Sequence, residues 1–180
     1  MQDLSLHILD IAENSIAAEA KTIRIHIKED RKKDRLRLEI DDDGKGMDKE
    51  TIRRAMDPFF TTKKTRRFGL GLSLLSEACK AANGRFAINS KAGKGTRVTA
   101  TFQASHIDTK PFGDIPQTLI SLIIGHPGVD LIYRHSTENE EYSMSTKDIK
   151  AQLNGLSIDS PEVLTIIKQH IKEGIASLRR

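Results

Sequence analysis

Between Lys21 and Lys28 the chain alternates without a break: Ile23, Ile25 and Ile27 fall on one side, Arg24, His26 and Lys28 on the other. A period of two belongs to a strand buried on one face only. After the polar turn from Glu29 to Asp34, Leu36, Leu38 and Ile40 repeat the pattern. Two such strands across a short turn pair as an antiparallel hairpin, with a helix layer on the apolar face and solvent on the other. His26 is therefore expected at the surface.

The segment before the hairpin carries Leu4, Ile8, Leu9, Ile11, Ala12 and Ile16 at helical spacing. On that helix Asp3, His7, Asp10, Asn14 and Ala17 lie three or four residues apart along one face. Carboxylate and carboxamide oxygens suit Mg²⁺, a hard cation usually shared with substrate phosphates. This predicts that the helix presents Asn14 to a nucleotide-bound metal. Taken alone, the same residues also describe a solvated helix face. His7 lacks the neighbours of a phosphoacceptor and reads as a structural or solvent histidine.

The second strand runs into Asp41–Asp42–Asp43–Gly44–Lys45–Gly46–Met47. Two glycines one residue apart permit positive φ and a close approach to a flat ligand. Asp42, at the strand end, can accept a hydrogen bond from an exocyclic amine. A calcium loop is excluded by spacing, because Lys45 would stand at its fifth position and Ile52 at its twelfth. A solvated acidic turn remains the plain alternative.

Asp48 is placed to cap a short helix, Lys49 to Met56. Asp57–Pro58–Phe59–Phe60 then leads into a basic stretch with Lys63, Lys64, Arg66 and Arg67, enough positive charge to meet a triphosphate. Gly69–Leu70–Gly71 opens a helix to about Ala82, with Leu70, Leu74, Leu75 and Ala78 expected inward. Backbone N–H groups exposed at such a helix start favour an anion. Leu74 occupies the third glycine position of a dinucleotide fingerprint, and no P-loop occurs, so phosphates would be held in another manner. Asn83–Gly84 ends the helix, and strands from Arg85 to Ser90 and Thr96 to Phe102 follow, joined through Gly93–Lys94–Gly95.

Composition narrows the function classes. A chain of 180 residues with a formal net charge of +4 is only mildly basic, and its aromatic share of 4% argues against a nucleic-acid surface. Cys79 is the single cysteine, which excludes an internal disulfide and fits a reducing compartment. No apolar run reaches the length of a membrane span, so a cytoplasmic protein is expected.

Four signals thus stand in fixed order across the first part of the chain. They are an Asn on helix one, an Asp-x-Gly-x-Gly turn, a glycine pair opening a helix after a basic lid, and a Gly-x-Gly-Thr hairpin. Together they resemble the Bergerat-type ATP-binding domain shared by gyrase, the Hsp90 chaperone, sensor histidine kinases and the MutL mismatch-repair protein. The resemblance covers residues 1–103. It implies an α/β two-layer sandwich, a mixed sheet covered by helices on one face, with ATP between helices and lid. It further implies that Asn14 holds Mg²⁺ and that Asp42 reads the adenine amine. Gly44, Gly46 and Met47 would lie under the base; Lys63, Lys64, Arg66, Gly69, Leu70, Gly71 and Leu72 at the phosphates; Thr96 behind the adenine.

Asp10, one turn before Asn14, matches the position where the gyrase and mismatch-repair branches keep a water-activating glutamate, which makes it a general-base candidate. Glu13 lies about 100° around the helix from Asn14 and is given a supporting place. Ala17 replaces a basic residue common in histidine kinases, and Phe68 replaces a common lid glycine. The run Asp-Pro-Phe-Phe-Thr-Thr-Lys followed by Gly-Leu-Gly-Leu-Ser is nonetheless most like the histidine-kinase branch. That implies phosphoryl transfer to a protein partner in trans, since no phosphoacceptor element precedes the first box. The alternative is an ATP-dependent switch or slow ATPase. An anti-sigma-like serine kinase fits the lid sequence less well.

A polar stretch with Pro111, Gly113 and Pro116 marks a boundary near residue 104. Residues 104–180 are expected to form a small α+β C-terminal domain. Its elements would be a helix from Gln117 to Ile124, strands at Val129–His135 and Glu141–Met144, a short helix from Thr146, and a long helix from Pro161 with Ser160 as cap. Leu164, Ile167, Ile171, Ile175 and Leu178 form a stripe on the last helix. Packing onto its own small sheet is the expected use of that stripe; a homodimer or partner seam is the alternative.

Overall fold

The computed structural model describes residues 3–56 and 70–178. The alternating segments form β1 (Thr22–Asp30) and β2 (Arg35–Asp42), paired antiparallel with Ile25 opposite Ile40 and Ile27 opposite Leu38. On its far side β2 meets β4 (Thr96–Gln103), and β4 pairs with β3 (Arg85–Ser90). Val98, Ala100 and Phe102 of β4 thereby extend the apolar rows of β2 across the same face, and all three are buried.

That face is covered by α1 (Leu4–Ala17) and α3 (Leu70–Ala81). Helix α1 starts at Asp3, whose carboxylate accepts from the Leu6 N–H, as an N-cap should. Leu4, Ile8, Ile11 and Ala12 are buried beneath it. Along the chain, α2 (Lys49–Met56) follows β2 and precedes α3, capped as expected by Asp48, which accepts from Thr51 N–H at 2.7 Å. In α3 the buried stripe is Leu72, Leu75, Ala78 and Cys79; Leu74, expected inward, is 41% exposed. A three- and four-residue stripe anchored on Leu75 turns position 74 about 100° away from the core.

The C-terminal elements are α4 (Ile115–Gly125), β5 (Asp130–Ser136), β6 (Glu141–Ser145), α5 (Thr146–Gln152) and α6 (Pro161–Ser177). The sequence led to the expectation of a separate small sheet here, and the strands do not form one. β5 joins the free edge of β1 in parallel, Tyr133 beside Ile25, and β6 closes on β5. The result is one mixed six-stranded sheet in the order β3-β4-β2-β1-β5-β6. The physical reason is the edge itself: β1 would otherwise expose a row of unpaired N–H and C=O groups. Helix α6 lays its stripe on α4 and β6, with Val163, Ile167 and Ile171 buried, so that surface is used within the chain.

The helices α3, α1, α4 and α6 form a contiguous row on one side of the sheet. This is the expected two-layer α/β sandwich. The opposite face is polar, with Arg24, Arg37, Arg97 and Arg134 engaged by Asp41, Glu39 and Glu141. His26 lies on that face but is half-buried, its Nε2 2.9 Å from Ser136 Oγ of β5.

Candidate functional site

Three consecutive aspartates at the end of β2 have three different surroundings. Asp41 faces the open side, in contact with Arg97 and Arg24. Asp43 accepts from the N–H groups of Lys21 and Thr22 and fixes the entry to β1. Asp42 points under the helix layer and is buried. Its Oδ1 accepts from Gly44 N–H at 2.9 Å and from Thr96 N–H at 3.2 Å; its Oδ2 accepts from Ser15 Oγ at 2.7 Å. A carboxylate offers about four acceptor positions. Three are filled by the protein, and the free one lies on Oδ2.

The surrounding backbone leaves no room for side chains. Gly46 has φ +65°, and a Cβ there would stand 2.1 Å from the carbonyl oxygen of Lys91. A Cβ on Gly44 would stand 2.8 Å from the carbonyl oxygen of Ala18. Gly95, at φ +81°, would bring its Cβ to 1.9 Å from the Asp42 carbonyl oxygen. The turn after β2 and the β3–β4 hairpin are thus packed backbone against backbone. Ser90 Oγ ties them together: it accepts from Met47 N–H at 2.7 Å, donates to Gly95 O, and lies 2.9 Å from Thr96 Oγ1.

The other end of the site lies where α1 meets α3. Gly71 is buried, and a Cβ there would stand 1.7 Å from Asp10 Oδ2. The Asp10 carboxylate therefore rests against the first turn of α3. Burial raises its pKa, and the nearby negative charge of Glu13 adds to the effect. Asn14 follows one turn later on the same face, half-buried, and no described residue hydrogen-bonds its carboxamide. Leu72 is buried in the same turn of α3 as Gly71. Leu70 begins that helix, and Lys63, Lys64, Arg66 and Gly69 lie outside the described residues.

Those of the sequence-predicted residues that are described therefore gather at two places joined by α1. Ser15, adjacent to Asn14, bonds to Asp42, so the helix that carries Asp10 and Asn14 also supports the buried carboxylate. Ser15 and Ser90 were not foreseen. A lone serine on an apolar helix stripe is the only signal Ser15 offers, and Ser90 offers none.

Residues 2–106 match the pattern of the histidine kinase-, DNA gyrase B- and HSP90-like ATPases. The chain belongs to this ATPase family. Among curated proteins, a putative sensor protein of Shewanella frigidimarina (strain NCIMB 400) is 42% identical over 72 residues, 39% of this chain and 11% of that one. The sensor protein kinase FleS of Pseudomonas aeruginosa is 38% identical over 92 residues, 51% of this chain and 23% of its own. The sensor protein DegM of Bacillus sp. (strain B21-2) is 33% identical over 91 residues, 51% of this chain and 24% of DegM. The chain thus spans less than a quarter of the length of these relatives. A crystal structure of the N-terminal domain of a DNA repair protein superimposes with a TM-score of 0.56 at 19% identity, covering 81% of this chain and 53% of that one. That likeness concerns the fold, and it reaches further along the chain than the family match does.

The ATPase family implies ATP with Mg²⁺, and the residues present fit both. A buried carboxylate with one open acceptor position suits an adenine amine. A carboxamide free of protein partners among the described residues, beside a carboxylate, is an oxygen donor set suited to Mg²⁺. No helix among the described residues is long and apolar enough to cross a membrane.

Proposed function

We propose that this ATPase-family protein binds Mg-ATP and transfers its γ-phosphoryl group to a protein partner in trans, in the manner of the catalytic domains of sensor histidine kinases. The observation that carries the nucleotide reading is the hydrogen bonding of Asp42. Its remaining acceptor position takes the N6 amine of adenine, and guanine would oppose it with an oxygen. Gly44, Gly46 and Met47 lie beneath the base, and Thr96 closes the far side through Ser90.

Asn14 would hold Mg²⁺, which would supply positive charge to the phosphates. Gly71 and Leu72 present the start of α3 to them, and Lys63, Lys64, Arg66, Gly69 and Leu70 complete that end. Catalysis here is positioning and electrostatics, as phosphoryl transfer generally is. The names of the sensor-kinase relatives support transfer over simple binding. Residues 1–103 carry the nucleotide chemistry. We place the protein in the cytoplasm, with no nucleic acid or membrane as partner.

A second reading, an ATP-driven switch with slow hydrolysis, draws on Asp10. Its carboxyl sits between α1 and α3 with a raised pKa, as a general base acting on water requires. Incubation with labelled ATP and Mg²⁺, with and without cell extract, separates the two. Label on a protein supports transfer; tight binding with release of phosphate, abolished by Asp10→Asn, supports the switch.

A further inference from the structure

We propose that the open face of the sheet carries a second ligand site, behind the adenine end, for a small polyanion bearing phosphate or carboxylate groups, and that its occupation tightens nucleotide binding. The site stands on its own geometry. Only the coupling rests on the nucleotide reading above.

Where β2 ends and the β3–β4 hairpin turns, the structure leaves a cavity of about 440 Å³, open to solvent on one side. That volume lies within the range of about 300–1,000 Å³ common to small-molecule sites. It is distinct from the nucleotide site. Side chains alternate across a strand, so Asn89, Arg97 and Asp41 share one cross-strand row on the open face and line the cavity. Asp42 turns the other way, under the helices.

Charge selects the ligand class. Lys91, Lys94 and Arg97 line the cavity against a single carboxylate, that of Asp41. This carboxylate is already answered: Arg97 Nε lies 3.1 Å from its Oδ1, and Arg24 Nη1 lies 3.6 Å from its Oδ2. Arg97 makes that contact through Nε, and no described residue hydrogen-bonds the two terminal nitrogens of its guanidinium. The ammonium groups of Lys91 and Lys94 and the carboxamide of Asn89 are likewise without a described partner, and all four side chains are exposed. Cationic donors free to turn inward, beside a neutralised acid, suit an anion. No aromatic side chain stands among the described residues of the lining, so a stacked base would find no platform.

Ser90 and Thr96 form the wall shared with the rest of the protein. Ser90 Oγ donates its one proton to Gly95 O and accepts from Met47 N–H, so the Thr96 hydroxyl is the donor in the contact between the two. Both hydroxyl protons are thereby engaged within the protein, and the anion is left to the cations. The same wall supports the adenine end: Thr96 N–H donates to Asp42 Oδ1, and Gly95 packs on the Asp42 carbonyl. An anion bridging Lys91 and Lys94 of the hairpin turn to Arg97 of β4 ties the turn to the strand that supplies this N–H. A hairpin braced in that way needs less ordering when the nucleotide binds. The coupling is therefore positive, and by linkage it is mutual.

The test follows amide resonances of the full chain by NMR during titration with inorganic phosphate and, separately, with tricarballylate, which tells phosphate from carboxylate. Saturable shifts at Asn89, Lys91, Lys94 and Arg97 are expected with at least one of them, weakening as salt is raised. Lys91→Gln with Lys94→Gln should lower the affinity by about fivefold or more. Lys147→Gln with Lys172→Gln, an equal loss of charge at exposed positions on α5 and α6, should leave it unchanged. No saturable shift with either anion, shifts confined to the start of α3, or equal weakening by both pairs overturns the site. ATP titrated with excess Mg²⁺ should bind the parent about fivefold tighter when the anion is saturating, and the Lys91/Lys94 variant should lose that gain. Unchanged ATP affinity over an occupied site overturns the coupling and leaves the site. A parent that binds no ATP overturns the nucleotide reading and the coupling with it, while the shifts still decide the site.

Discussion

Ser15 Oγ donates to Asp42 Oδ2 at 2.7 Å, across the boundary between helix layer and sheet. The bond fixes which oxygen of Asp42 keeps an open position, and it does so from the residue next to Asn14. Ser15→Ala should therefore weaken ATP binding by several-fold without abolishing it, through loss of a hydrogen bond to a charged group worth about 1.5–3 kcal/mol in total. Titration calorimetry of the variant, alongside its urea denaturation, divides that loss between nucleotide affinity and fold stability.

Gly71 and Asp10 form a second such contact. Gly71→Ala should displace the Asp10 carboxylate and destabilise the protein by about 1 kcal/mol or more, since the new methyl would overlap Oδ2. In an Asp10→Ala background the same change should become neutral or stabilising, because alanine is the better helix residue. A double-mutant cycle by urea denaturation reads the coupling.

His7 is buried, and neither ring nitrogen has a hydrogen-bond partner among the described residues. Burial pulls its pKa down from 6.5 to about 4, with the positive charge of the N-terminus adding to the effect. The unfolded chain then binds a proton below pH 6.5 that the folded one refuses until about pH 4. Stability should fall as pH drops through that window, by on the order of 3 kcal/mol, and this group should contribute no slope above it. His7→Leu should remove the slope and raise stability near neutrality by about 1–2 kcal/mol. Thermal melts of both proteins between pH 4 and 8 check the sign.

Gly174→Ala offers a test with an inverted sign. Alanine at an interior helix position normally stabilises by about 1 kcal/mol. Here the methyl would meet the Tyr142 ring, so the variant should be less stable than the parent and lose the Tyr142–His170 hydrogen bond. The His170 ring resonances, followed by NMR, should shift in the variant; unchanged resonances and a higher melting temperature would contradict the contact.

Much of this fold is written in local pattern. The alternation of Ile23, Ile25 and Ile27 against Leu36, Leu38 and Ile40 placed both strands and their inner face, and Asp48 announced its helix. Periodicity reports which side of a strand is buried, but not which strand lies beside it. For that reason the docking of β5 on β1, and with it the half-burial of His26 against Ser136, could not be read from either segment alone. At the site, Asp42, Gly44 and Gly46 stood out because their combination is unusual. Ser15 and Ser90 are common residues whose roles depend on what the fold brings to them, and so stayed invisible. Leu74 shows the converse: it sits one residue from the stripe that Leu75 anchors, and hydrophobicity alone set it on the wrong side.

The central claim is that Asp42 reads an adenine ring in a pocket that also holds Mg-triphosphate through Asn14. Equilibrium titration of ATP and GTP into the parent protein and Asp42→Asn, with Mg²⁺ present, tests it most directly. The account predicts that the parent binds ATP and discriminates against GTP by roughly 100-fold or more, and that Asp42→Asn loses ATP affinity by a similar factor. Equal binding of the two nucleotides, or an Asp42→Asn protein that holds ATP as tightly as its parent, would contradict it.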